Sequence, residues 1–258
     1  MVFSDLKFIY IFLPIFLIVY YLLPKRFKNA FVFLASVAFY TFGTLDRPLY
    51  AALFVLAIII TYIAALLMEK FPKHKEIILV LSLIYNFGLL FVFKYEGFLV
   101  TEFNGITGLN LPVLQLVLPV GISFYTFQAM SYCIDVYRGT VGAEASFVDY
   151  GAYISMFPQL VAGPIVTYPE IKRDLHRRNQ DFDSFSEGLK IFVAGLGYKV
   201  IIANNLAGVW NDIITIGFES ISTPLAWLAA VGYSLQLYFD FYGYSLMAKG
   251  MGRMIGFT

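Results

Sequence analysis

Apolar runs of helix length, one after another, limit the fold of this chain more than any other feature. A helix needs about 20 apolar residues to cross a bilayer, within a range near 17–25. Such runs occupy Phe8–Leu23, Ala30–Gly43, Leu49–Met68, Ile77–Phe93, Leu118–Tyr137, Gly188–Leu206 and Pro224–Ala248. The second is short for a straight crossing. Hydrophobic residues fill 60 % of the 258 positions and charged residues only 14 %, against about 25 % charge in ordinary soluble domains. A soluble fold of this size exposes too much surface to hide that much apolar matter. The reading is an all-α, polytopic transmembrane protein with about seven spans.

An eighth apolar stretch, Tyr150–Tyr168, contains Pro158, Gly163 and Pro164. Proline lacks a backbone donor and clashes with the preceding turn, so this stretch is expected to be a re-entrant element. Irregular backbone is tolerated at membrane depth only where protein or water satisfies it. The charges agree. Lys25, Arg26 and Lys28, then Lys70, Lys73 and Lys75, then Lys172, Arg173, Arg177 and Arg178 mark cytoplasmic turns by the positive-inside rule. All three fall on one side only if Tyr150–Tyr168 returns to the face it left. The N-terminus then lies outside. The first run is no cleavable signal, because its basic cluster follows the apolar segment.

Polar side chains inside apolar spans are costly and are functional candidates by default. Gln128, Ser131 and Asp135 share one helical face, with Arg138 one turn beyond Asp135. Asp135 and Arg138 are expected either to pair or to line the inner mouth of a channel. Gln236, Asp240 and Tyr244 recur at four-residue spacing and form a second stripe. Lys199 lies deep in the sixth run and is expected to neutralise Asp240 or to share a wet cavity with it. Gln159 adds an amide within the re-entrant element.

A net charge of +1 leaves no electrostatic footprint for nucleic acid. Cys133 is the only cysteine, so no internal disulfide or paired-cysteine metal site exists. No P-loop, dinucleotide fingerprint, zinc-helix motif or nucleophile elbow is present. His74 and His176 sit in basic polar turns, and no metal site is expected.

Three stretches together resemble the membrane-bound O-acyltransferase (MBOAT) superfamily, closest to its bacterial alginate O-acetyltransferase-like branch. They are LPVGISFYTFQAMSYCIDVYRG (Leu118–Gly139), YISMFPQLVAGPIVTY (Tyr153–Tyr168) and LQLYFDFYGYSLMAKGMGRMIGF (Leu235–Phe257). The opening Met1–Pro24 is similar too. The resemblance implies a ring of helices around a thinned centre. It implies transfer of an acyl group, often acetyl, from a thioester donor (acetyl-coenzyme A or an acyl carrier) to a hydroxyl of an exported polysaccharide. A periplasmic or cell-surface acyltransferase partner and a bacterial cytoplasmic-membrane location follow from the same resemblance. The family's catalytic histidine lies in a Trp-His-Gly motif beyond the YFDF segment. Residues 1–258 are therefore expected to be the N-terminal part of one MBOAT-like transmembrane domain, inactive alone, with no catalytic residue of its own. Tyr242, Leu246 and Lys249 depart from the family pattern. Teichoic-acid D-alanyl transfer, or a secondary transporter or flippase, is the alternative. The halves show no internal repeat, which disfavours a transporter.

Overall fold

The computed structural model describes residues 3–114, 116–160, 166–178, 180–217 and 220–257. All regular structure among them is helical. The chain divides into two compact units, one built from residues 1–23 and 176–258, the other from residues 24–161 and 165–175.

In the first unit a π-wound turn, Phe8–Phe12, leads into α1 (Leu13–Leu22). Phe8, Phe12, Phe16 and Tyr20 follow one another at four-residue spacing, so their rings stack along one face at centroid distances of 5.5, 6.1 and 6.0 Å. Asp181 caps α9 (Phe182–Gly197), its Oδ1 accepting from Ser184 N at 2.6 Å. Hydrogen bonds from Ser184 hold this exposed carboxyl below its ordinary value. A π turn, Tyr198–Ala203, joins α9 to α10 (Asn204–Ile216), and α11 (Thr223–Met254) runs back along them.

Glycine sets the register of that return. Gly188 and Gly195 lie seven residues apart on α9, and Gly243 and Gly250 seven apart on α11. A Cβ on Gly195 would stand 2.6 Å from Gly243 O, and one on Gly250 would stand 2.6 Å from Gly188 O. The two helices therefore touch backbone to backbone at two levels, antiparallel, which only residues without side chains permit. Glu187 and Arg253 pair across the same register at 2.9 Å.

The second unit holds α2 (Lys28–Gly43), α3 (Pro48–Lys70), α4 (Lys75–Thr107), α5 (Ile122–Arg138), α6 (Phe147–Ser155) and α7 (Phe157–Leu160), with most of α8 (Tyr168–His176). Pro48 stands in the first turn of α3, where its missing N–H costs nothing. Helices α3, α4 and α5 pack on one another, and α2 packs on α6.

Every expected apolar run is helical, with changed limits. The fifth begins at Ile122 rather than Leu118, because Gly121 at φ +72° turns the chain before the helix starts. The eighth stretch breaks at Met156, two residues before Pro158, which sits harmlessly in the first turn of α7. Gly163 and Pro164 lie outside the described residues. The basic segment expected as a loop is largely helix α8. Among the described residues, three helical stretches are long and apolar enough to cross a membrane: Pro48–Lys70, Pro72–Thr107 and Phe182–Ile216. Phe8–Leu22 is a shorter apolar helix. Helices α2 (16 residues) and α5 (17 residues) are short, and α11 carries Asp240, Lys249 and Arg253.

If the glycine contacts set the α9–α11 register, Gly195→Ala lowers stability by about 1–3 kcal/mol, the usual cost of overpacking. Gly232→Ala is the control, because its Cβ meets nothing within 4 Å. It should leave stability unchanged or raise it. Thermal unfolding of both variants in detergent makes the comparison.

Candidate functional site

The break at Met156 explains the first polar stripe. In an unbroken helix Phe157 N would donate to Tyr153 O. Here Phe157 N donates to Ser36 Oγ at 3.1 Å, and Tyr153 O accepts from Gln128 Nε2 at 3.2 Å. Two side chains from α2 and α5 thus replace one lost backbone bond. Gln128 is buried, and bracing the break is what its amide does. Gly121 makes room at the same place, since a Cβ there would come within 2.3 Å of Leu160 O.

Around this break lies a core of four fully buried tyrosines, Tyr132, Tyr150, Tyr153 and Tyr168. Ring centroids stand 4.7 Å apart for Tyr132–Tyr150 and 5.0 Å for Tyr132–Tyr168. Each hydroxyl is engaged. Tyr150 donates to Thr61 Oγ1 at 2.7 Å and Tyr153 to Val166 O at 3.0 Å. Tyr132 accepts from Glu144 N at 2.7 Å, and Tyr168 donates to Glu144 Oε2. Glu144 is buried and also accepts from Ser146 N. The sequence reading missed Glu144 because it lies in a connecting segment, where a carboxylate stands out from nothing. It missed the tyrosines because they count as apolar within apolar runs.

The other candidates in this unit are less engaged. Ser131 and Asp135 are half-buried and Arg138 is exposed. No ion pair joins Asp135 to Arg138 among the described residues. Gln159, on α7, has a buried Oε1 with no hydrogen-bond partner among the described residues.

In the first unit the second stripe gathers around a charge pair. Lys199 Nζ donates to Asp240 Oδ1, the neutralisation expected from the sequence. Lys199 sits in the π turn, a local widening that recurs at functional positions. A Cβ on Gly243 would meet Lys199 N at 3.0 Å and Lys199 Cβ at 3.2 Å. Glycine there lets the lysine backbone approach α11 one turn beyond the Gly195 contact. Side-chain exposure is 14 % for Lys199 and 34 % for Asp240, so the pair is sheltered but not sealed. Gln236 is half-buried. Tyr244 is buried, its ring stacked on Phe3 at 4.5 Å, and its hydroxyl finds no hydrogen-bond partner among the described residues.

The basic segment divides in function. Arg178 NH1 donates to the Tyr20 hydroxyl at 2.9 Å and its guanidinium lies 4.3 Å from the Phe257 ring centroid. Arg173 and Arg177 are exposed, as are His74 and His176. No group of three His, Cys, Asp or Glu side chains gathers as metal ligands among the described residues.

The MBOAT, membrane-bound O-acyltransferase family, matches residues 140–258, which contain Glu144 and three of the four core tyrosines, the break and the charge pair. Across its whole length the chain is 38 % identical to the probable alginate O-acetylase AlgI of Pseudomonas syringae pv. tomato, covering 50 % of that protein. Nearly half of the chain thus matches the membrane-bound O-acyltransferase family. A second relative is the peptidoglycan O-acetyltransferase of Helicobacter pylori, 35 % identical over 98 % of this chain and 54 % of the relative. The teichoic acid D-alanyltransferase of Bacillus subtilis is 29 % identical over 56 % of this chain and 37 % of its own length. The chain thus spans about half the length of the first two of these curated relatives.

Two outcomes test the geometry. Ser36→Ala strands the Phe157 N–H, and a buried donor without a partner costs about 1–3 kcal/mol; Ser131→Ala, on the half-buried part of its stripe, should cost less in the same chemical-denaturation series. Lys199→Met strands the Asp240 carboxylate. Its cost should fall between the roughly 0–1 kcal/mol of exposed pairs and the roughly 3–5 kcal/mol of buried ones. Lys199→Met with Asp240→Leu should recover part of that loss, as a double-mutant cycle reads it.

Proposed function

We propose that the protein carrying this chain is an O-acetyltransferase of the bacterial cytoplasmic membrane that acylates an exported polysaccharide. The observation that carries this reading is the full-length similarity to proteins whose names specify O-acetyl transfer. The D-alanyl-transferring relatives align with only about half of the chain, which favours acetyl over D-alanyl cargo.

The chemistry is thioester acyl transfer. A histidine base takes the proton of an acceptor hydroxyl, the oxygen attacks the thioester carbonyl, an ester forms and the thiol leaves. His74 and His176 are exposed on polar turns and do not suit that role, so residues 1–258 act as part of the wall of the transmembrane domain. Lys199 holds Asp240 in place, and the free groups nearest that pair on α11, Tyr244 and Gln236, are offered to substrate. Gln159 offers an acceptor within the re-entrant element, and Asp135 and Arg138 stand at the inner mouth. The donor is acetyl-coenzyme A or an acyl carrier, drawn to the cytoplasmic face by the exposed basic residues of the Lys172–Arg178 segment. Seven spans with a re-entrant element over Tyr150–Tyr168 put these turns inside and the N-terminus outside. A periplasmic or cell-surface acyltransferase completes the delivery.

Deleting the gene in its host should abolish O-acetyl groups on the exported polysaccharide, measured by proton NMR of the purified glycan, and the wild-type gene should restore them. Lys199→Met in the restored gene should lower the O-acetyl content by up to about 10²-fold, the scale for misplacing a reacting group. Undiminished acetylation in the deletion strain overturns the reading.

A further inference from the structure

Four cation–aromatic contacts bracket α3 and α4. Lys70 lies 5.6 Å from the Phe71 ring and Lys75 lies 4.7 Å from the Tyr137 ring at one end. Arg47 lies 5.8 Å from the Tyr50 ring and Lys94 lies 5.6 Å from the Tyr95 ring at the other. Tyr50 packs edge-on against Phe93 at 5.6 Å, so the second pair of contacts stands at one level. Lysine and arginine that reach outward beside aromatic rings mark the two boundaries of a bilayer. From Lys75 to Lys94 the helix rises about 29 Å, close to the hydrocarbon thickness of about 30 Å.

Helix α4 does not stop there. It has 33 residues, about 50 Å, and runs about 20 Å past Lys94. Even tilted by about 40°, the steep end of the observed range, it would cover about 38 Å of depth, more than the hydrocarbon core. At Gly108, φ +72°, the chain reverses. It comes back to the boundary at Val117, whose carbonyl accepts from Tyr50 Oη at 2.7 Å. Residues 95–114 thus leave the membrane boundary at Tyr50, and Val117 stands at it again.

The excursion is apolar on its outside. Phe98 is 65 % exposed, Ile106 83 % and Leu114 62 %. An outer surface of this kind standing in water is an aggregation site. Side chains of the helix it lies on hold three backbone groups of the returning segment. Asn104 exchanges two hydrogen bonds with Leu111, both 2.9 Å, and Glu96 Oε1 accepts from Leu114 N at 3.0 Å. The apolar face also continues the exposed face of α4 below the boundary, where Ile84 is 62 % exposed. Residues 95–117 contain Glu96 and Glu102 and no Lys, Arg or His, so attraction to anionic lipid has no part in it.

We propose that residues 95–114 form an interfacial hook that lies in the headgroup–acyl boundary of the leaflet on the Arg47–Lys94 side, with uncharged lipid as its partner. This rests on α3 and α4 crossing the bilayer, and it is independent of the transfer reaction. The test is spin-label depth in the full-length protein, with Cys133→Ala as background, reconstituted in phosphatidylcholine vesicles. Phe98→Cys, Ile106→Cys and Leu114→Cys carry the label, with Ile84→Cys as the deep reference and Lys73→Cys as the aqueous one. The expected ratio of oxygen to nickel-chelate accessibility at the three hook positions is several-fold above Lys73→Cys and several-fold below Ile84→Cys. Aqueous ratios at all three, with Ile84→Cys deep, overturn the hook while leaving the span intact. Labels shielded from both reagents point instead to a protein-covered face and also overturn it. A water-like Ile84→Cys label removes the span and the hook with it.

Discussion

At several points where the described residues leave helical geometry, a side chain takes over the backbone partner that was given up. That constraint comes from the solvent. In an apolar surrounding an unpaired N–H or C=O costs several kcal/mol, and no water stands by to relieve it. At the Met156 break, Ser36 and Gln128 each take one half of the lost bond. At the end of α11, Tyr20 and Tyr21 donate to the carbonyls of Ile255 and Met254 at 2.6 and 2.5 Å. Tyr62 donates to Ala145 O at 2.6 Å, and Lys75 to Tyr137 O at 3.2 Å. Tyrosine serves here because its ring is at home among apolar side chains while its hydroxyl reaches a stray carbonyl. The chain's 19 tyrosines are in part the means by which a broken, membrane-compatible helical fold is possible.

The same constraint explains what could be read in the sequence. The apolar runs announced the helices because lipid contact demands apolar residues on nearly every face, so length alone found them. The Lys199–Asp240 pair was legible because two opposite charges in apolar runs have few ways to exist apart. Gln128 was legible as an anomaly but not as a brace, because its partner Tyr153 O is freed only by a break elsewhere. Residue type points to a break from Pro158, Gly163 and Pro164 within the stretch, without fixing where it falls. In fact the chain turns at Met156, and proline occupies the first turn of the helix that follows. Glu144 was invisible, because burial of a connecting segment is decided by the tyrosines that close over it. The seven-residue glycine spacing on α9 and α11 is plain in the sequence, yet it names no partner until the two helices are set antiparallel.

These uses divide the polar residues by availability. In the second unit Gln128, Ser36, Thr61, Glu144 and the four tyrosines are committed to backbone or to one another. A group that already holds the fold together cannot turn to a substrate without releasing a buried partner, at about 1–3 kcal/mol. In the first unit the glycine contacts fix α9 against α11, and the charge pair sits one turn beyond them. A pair held by rigid backbone on both sides keeps its geometry when its surroundings change, which is the property a positioning group needs. Tyr244, one turn along α11 from Asp240, has its ring fixed against Phe3 and its hydroxyl unused. Tyr40, Tyr85, Thr126 and Ser155 also carry buried hydroxyls without a partner among the described residues, but Tyr244 alone of these stands on the helix that holds Asp240. The α11 face that carries Asp240 thus keeps a buried hydroxyl, that of Tyr244, without a partner among the described residues, whereas Gln128 and Glu144 beside the break are already engaged.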